Sequence, residues 1–146
     1  MPEPIGRPRQ LAFAYRASKS TDEALGRAVA LAQSLDMQLT VFVPFVRPTD
    51  SGACCGFEAA RWEQLLREAA HDEARAAEGL LGAAAARPVV VVEGRSVPEI
   101  VETFIGDGTE RVLALPEKAS ASPFSRRALH QLARHAGRTV RQLPAR

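Results

Sequence analysis

The sequence predicts an α/β protein in which helices cover a parallel sheet. Short segments rich in β-branched and aromatic residues alternate with longer segments whose apolar residues recur at helical spacing. Serine-based capping motifs precede several of the helical segments. With 146 residues, of which 46% are hydrophobic and 25% charged, the chain is long and apolar enough for one domain with a buried core.

The first third of the chain predicts two strands joined by a helix. Residues 10–15 form a short apolar strand, and a capping box over residues 20–23, with Ser20 as the N-cap, opens a helix that runs to Leu35. A second strand is expected over residues 38–46. Pro44 lies inside this segment and cannot donate a hydrogen bond, so the strand either ends there or bulges.

A long helix and a valine-rich strand are predicted next. The helix follows a loop over residues 48–56 and ends before Arg87-Pro88. Four consecutive valines at 89–92 predict a third strand over residues 88–93, buried on both faces as parallel strands are. We expect Trp62 in the core. It belongs to one helical stripe of apolar residues: Phe57, Trp62, Leu65, Leu66, Ala69, Ala70, Ala76, Ala77, Leu80 and Leu81.

The last third predicts two further helices and two strands. A second capping box at residues 96–99 starts a short helix, and a fourth strand follows at 111–115. Ser122 then caps a helix that ends at Gly137, before a weakly apolar strand at 138–143. This β-α alternation with right-handed crossovers gives a parallel sheet with helices on both faces. Ligands of such sheets bind outside the carboxyl ends of the strands.

Composition excludes several classes of protein. We expect residues 1–8 to be a flexible tail and residues 9–146 to form a single domain. No segment has the length of a membrane span, and the N-terminus lacks the apolar stretch of a signal peptide. The adjacent Cys54 and Cys55 give no useful loop-closing disulfide, which favours a reducing compartment and a cytoplasmic location.

Basic residues are concentrated near the C-terminus. Residues 111–146 carry eight basic side chains and one acidic, whereas residues 57–110 carry five basic and eleven acidic. Internal charge complementarity explains this asymmetry as well as a binding patch does. With a net charge of +2 and only 5% aromatic residues, the chain is not expected to bind nucleic acid.

Several segments together resemble the universal stress protein family over residues 9–144. A strand runs into a serine-rich turn and a capped helix at 11–35, followed by the strand Leu-Thr-Val-Phe-Val at 39–43. Residues 92–101 are similar to the family's strand-Gly-x-Pro-x-x-Ile segment, and Arg-His-Ala at 134–136 ends a helix before the final strand. The resemblance implies a single open five-stranded sheet of order 3-2-1-4-5, like that of adenine nucleotide hydrolases, with its switch point between strands one and four.

Many members of the family that this chain resembles bind ATP. They use an acidic residue just after strand one and a glycine-rich loop after strand four, whose backbone amides approach the phosphates. Here Tyr15-Arg16 follows strand one, and the loop at 116–123 contains no glycine. Arg126-Arg127 stands where the family has its Gly-Ser pair. We therefore do not expect ATP to bind in the family manner, and we expect no cofactor.

The candidate binding residues line the expected crevice between strands one and four. Arg126 and Arg127 fall in the first turn of the last helix, where cations are unfavourable by ~0.3–1 kcal/mol each unless an anion neutralises them. This suggests a small-anion or nucleotide site, although solvated arginines or a pairing with Glu117 explain them as well. The full candidate set is Tyr15, Arg16, Ser18, Glu117, Lys118, Ser120, Ser122, Arg126 and Arg127.

Cysteines and histidines do not form a recognisable site. Cys54 and Cys55 provide two metal ligands at most, and His71, His130 and His135 have no metal-ligand spacing. We therefore expect no metal site, and an unreactive pair of loop thiols. No Gly-x-Ser-x-Gly motif or other nucleophile constellation is present, so we expect no catalytic residues.

Three classes of function remain. The first is a non-enzymatic universal-stress-type domain that acts in the stress response through an unidentified protein partner. The second is a nucleotide- or anion-binding module that uses the crevice with Arg126 and Arg127. The third is a nucleotide-hydrolysing enzyme of the same architecture, for which the sequence names no residues. The resemblance also implies a homodimer paired through the last strand at 138–143, because an exposed edge strand invites such pairing.

Overall fold

The computed structural model of the chain describes residues 10–47, 56–82, 88–105, 111–115, 127 and 140–142. Strands and helices alternate along these residues. In chain order the elements are β1 (Gln10–Ala14), α1 (Lys19–Ser34), β2 (Gln38–Val46), α2 (Gly56–Leu81), β3 (Val90–Gly94), α3 (Val97–Ile105), β4 (Arg111–Leu115) and β5 (Val140–Gln142).

The strands form one parallel sheet whose switch point lies where it was predicted. The four longer strands follow the order β3-β2-β1-β4, as the resemblance implied. β1 pairs with β2 on one side and with β4 on the other. β5 is described over Val140–Gln142, within the strand predicted at 138–143, and pairs in parallel with the end of β4.

Helices cover both faces of this sheet, as predicted. Leu11, Phe13 and Tyr15 point to one face, where they form a buried cluster with residues of α1 and α2. Ala12 and Ala14 point to the other face and pack against α3. This alternation is the period-2 geometry of a strand buried on both sides. The predicted helix over residues 122–137 lies outside the described residues, except for Arg127, which is helical and exposed.

β2 continues through Pro44, so neither a strand end nor a bulge occurs there. The amide of Tyr15 donates to the carbonyl of Phe42 over 2.8 Å, which shows that Phe42 directs its backbone groups towards β1. Pro44, two residues on, faces the same side, and β1 has ended by that point, since Ala14 pairs with Phe42. The missing N–H therefore costs the sheet no hydrogen bond.

The N-cap of α1 is Ser18 and not Ser20, contrary to the sequence prediction. Ser18 has extended backbone geometry, and its Oγ accepts a hydrogen bond from the Thr21 amide over 3.1 Å. Ser20 lies inside the helix. The second predicted cap is confirmed, because Ser96 Oγ accepts from the Glu99 amide over 3.3 Å at the start of α3.

α2 buries a narrower face than its apolar periodicity predicts. The residues that pack on the sheet are Ala70, Ala74, Ala77 and Leu81, with Leu66 partly buried. Trp62 is 59% exposed, so its predicted place in the core is wrong. At 100° per residue Trp62 lies about 80° around the helix from the buried row. The helix ends at Leu81, earlier than predicted, because Gly82 adopts a φ of +50°.

The valine-rich strand is an edge strand in the described sheet and is not buried on both faces as predicted. Val90 is exposed, and the next three residues are half-buried. Gly94 ends β3 beneath α3, where a Cβ would stand 2.6 Å from Ile100 Cγ1. Only glycine therefore allows this close approach of strand and helix. Among the described residues, no helix has both the length and the apolar character that crossing a membrane requires.

Candidate functional site

The candidate site begins at the carboxyl end of β1, the central strand at the switch point. Parallel sheets of this kind bind ligands where neighbouring crossovers leave in opposite directions. β1 leads into α1 on one face, whereas the crossover from β3 to β4 passes over the opposite face on α3. Tyr15, Arg16 and Ser18 follow β1 directly, in the turn before α1.

Tyr15 is the first residue after β1 and is fully buried, with 1% of its surface exposed. Its hydroxyl donates a hydrogen bond to Asp22 Oδ1 over 2.7 Å. Burial raises the pKa of the Tyr15 phenol far above its ordinary value, and the hydrogen bond to Asp22 raises it further. The hydroxyl therefore keeps its proton at neutral pH and acts as a structural donor.

The two neighbouring candidate residues differ in what they offer a ligand. Ser18 caps α1, and its Oγ also shares a hydrogen bond of 2.7 Å with Thr21 Oγ1, so the predicted ligand-binding hydroxyl is already engaged. Arg16 is exposed at the same end of the sheet. It is the candidate on this side of the crevice with a charge that a ligand can reach.

Two acidic residues that the sequence reading did not single out join this group. Asp22 lies in the first turn of α1, where a carboxylate is favoured by the helix dipole. Glu73 belongs to α2. Partial burial raises the pKa of Glu73, and the positive charge of Arg16 opposes that rise. A first-turn carboxylate is a recognisable sequence signal for Asp22, but nothing local in the sequence links Glu73 to β1.

The second half of the predicted crevice follows β4. Lys118, Ser120, Ser122 and Arg126, together with Glu117, lie outside the described residues. Arg127 is described as a helical, exposed residue. The structure thus brings together Tyr15, Arg16 and Ser18 on the β1 side, and the candidate residues after β4 stay a prediction.

A separate ionic cluster connects α2 with the ends of β2 and β3. Arg67 Nε donates to Glu93 Oε1 over 2.5 Å, and Arg67 also lies 3.7 Å from Glu63. The guanidinium of Arg67 stands 5.4 Å from the ring centre of Phe45. The hydrogen bond to Glu93 raises the pKa of Arg67. The pair of Arg67 and Glu93 holds α2 against the sheet edge, so we assign this cluster no ligand.

Metal ligands are not grouped in the part of the chain that the structure describes. There, no three side chains of the His, Cys, Asp or Glu type lie close enough to hold an ion. His71 is exposed on α2. Cys54, Cys55, His130 and His135 lie outside the described residues, so the prediction about them stays open.

Comparison by sequence gives no relative: no family model and no curated protein matches the chain. Comparison by structure gives several. A protein of the universal stress protein family from Burkholderia pseudomallei superimposes with a TM-score of 0.70 at 19% identity, covering 94% of this chain and 96% of that one. Universal stress protein UspA from Lactobacillus plantarum gives 0.69 at 15% identity, covering 95% and 99%.

A third solved structure is a universal stress protein in complex with cAMP. It superimposes with a TM-score of 0.61 at 14% identity and covers 94% of this chain and 98% of that one. The similarity in each case extends over nearly the whole of both chains, at identities that speak for the fold alone. The resemblance suggested by the sequence motifs and the similarity of the structures thus agree: the chain has the fold of the universal stress proteins.

Proposed function

We propose that this chain is a divergent universal stress protein that acts in the cytoplasm through protein contacts, is not an enzyme, and does not bind ATP in the family manner. The fold supports the first part of this proposal. The buried Tyr15, which follows β1, supports the absence of ATP binding in the family manner. This is the observation that carries the proposal.

The position after β1 is filled by the core of the protein itself. The resemblance implies an acidic residue there, free to meet a nucleotide. In this chain Tyr15 is 1% exposed and its hydroxyl is bonded to Asp22. A ligand could reach the hydroxyl only by displacing a buried ring, and a buried ring of this size contributes several kcal/mol to stability. The Tyr15 hydroxyl belongs to a buried ring, and the hydrogen bonds of Ser18 Oγ are with the Thr21 amide and hydroxyl, neither of which is a base; this supports a non-enzymatic role.

Binding of a nucleotide or small anion is the second candidate function. One structural neighbour was solved with cAMP. In this chain Arg16 and Arg127 are exposed, and an exposed guanidinium is suited to bidentate contact with a phosphate. Such a ligand would be held by arginine side chains at the rim of the crevice, in place of backbone amides in a glycine-rich loop.

A thermal-shift panel with ATP, cAMP and inorganic phosphate separates the two proposals. A ligand at a hundred times its dissociation constant stabilises the fold by ~2.7 kcal/mol, which such an assay detects. The first proposal predicts no shift with ATP. A shift with phosphate or cAMP that is lost in Arg16→Ala or Arg126→Ala/Arg127→Ala supports the second. A shift with ATP that survives these substitutions contradicts both.

A further inference from the structure

We draw no further inference here: the strongest candidate, the surface patch of exposed apolar side chains that Trp62, Leu65 and Leu80 form on α2, carries none because nothing in the described part of the chain shows what covers it.

Discussion

The hydroxyl of Tyr15 donates to Asp22 Oδ1 over 2.7 Å, and this bond joins the end of the central strand to the first turn of α1. It fixes the chain at the carboxyl end of β1, where open parallel sheets bind their ligands. Tyr15→Phe removes the donor and leaves the ring in place. Because Asp22 is exposed and regains water, we expect a loss of about 0.5–1.5 kcal/mol in the free energy of unfolding, measured by urea denaturation.

The matched control for this bond is Asp22→Asn, which keeps an acceptor oxygen and should cost less than Asp22→Ala. A double-mutant cycle with Tyr15→Phe and Asp22→Ala isolates the coupling between the two side chains. Equal urea midpoints for the wild type and Tyr15→Phe would show that the bond contributes nothing.

Replacement of Ser18 tests the corrected start of α1. Ser18→Ala should lower the free energy of unfolding by about 0.5–2 kcal/mol, because the Thr21 amide loses the acceptor that caps the helix. Ser20→Ala, at the N-cap that the sequence favoured, should change stability by only a few tenths of a kcal/mol. The reverse ranking in thermal or urea unfolding would restore the sequence-based assignment.

Two glycines give opposite responses to the same substitution. Gly94→Ala places a Cβ 2.6 Å from Ile100 Cγ1, so we expect a loss of about 1–3 kcal/mol from overpacking. Gly26→Ala, inside α1 with nothing within 4 Å of the new Cβ, should stabilise the chain by roughly 0.5–1 kcal/mol. The close contact between β3 and α3 would be disproved if Gly94→Ala left the urea midpoint unchanged or raised it.

Glu73 should make the protein less stable as pH rises. Its pKa is higher in the folded chain than its ordinary value, mainly through burial. The folded state therefore binds the Glu73 proton more tightly than the unfolded state does, and stability falls as pH rises from the unfolded towards the folded pKa. Glu73→Gln should be more stable than the wild type at neutral pH, and this advantage should disappear in acid below both values.

Urea midpoints of the wild type and Glu73→Gln, measured from neutral pH down to acid, check the prediction. Glu102→Gln removes the same charge from an exposed position on α3 and serves as the control, with little expected change at any pH. An advantage of Glu73→Gln that stays constant, or grows, towards low pH would contradict the role of burial.

How far the sequence predicts the fold depends on the range of the interactions involved. β2 occupies Gln38–Val46 as predicted, because its apolar run is bounded by clear turn signals. The local sequence does not distinguish Ser18 from Ser20 as the N-cap of α1, because the two residues are chemically identical and only two positions apart. Helical periodicity predicts that Trp62 belongs to an apolar row of α2. It does not predict how much of that row the sheet covers, and Trp62 is exposed.

The candidate site is predictable only in part, for a similar reason. Tyr15, Arg16 and Ser18 follow from their place after the first strand. The contribution of Glu73 depends on how α2 lies across the sheet, which no local pattern encodes. The exposure of Val90 follows from strand order, since the four-valine run belongs to the strand at the edge of the described sheet.

Isothermal titration of the full chain with Mg²⁺-ATP decides whether the crevice at the carboxyl end of β1 binds the nucleotide. We predict no saturable heat, because Tyr15 fills the position after β1 and its hydroxyl is bonded to Asp22. A one-site isotherm with a stoichiometry near one ATP per chain would contradict it and would show that the crevice accepts the nucleotide despite the buried tyrosine.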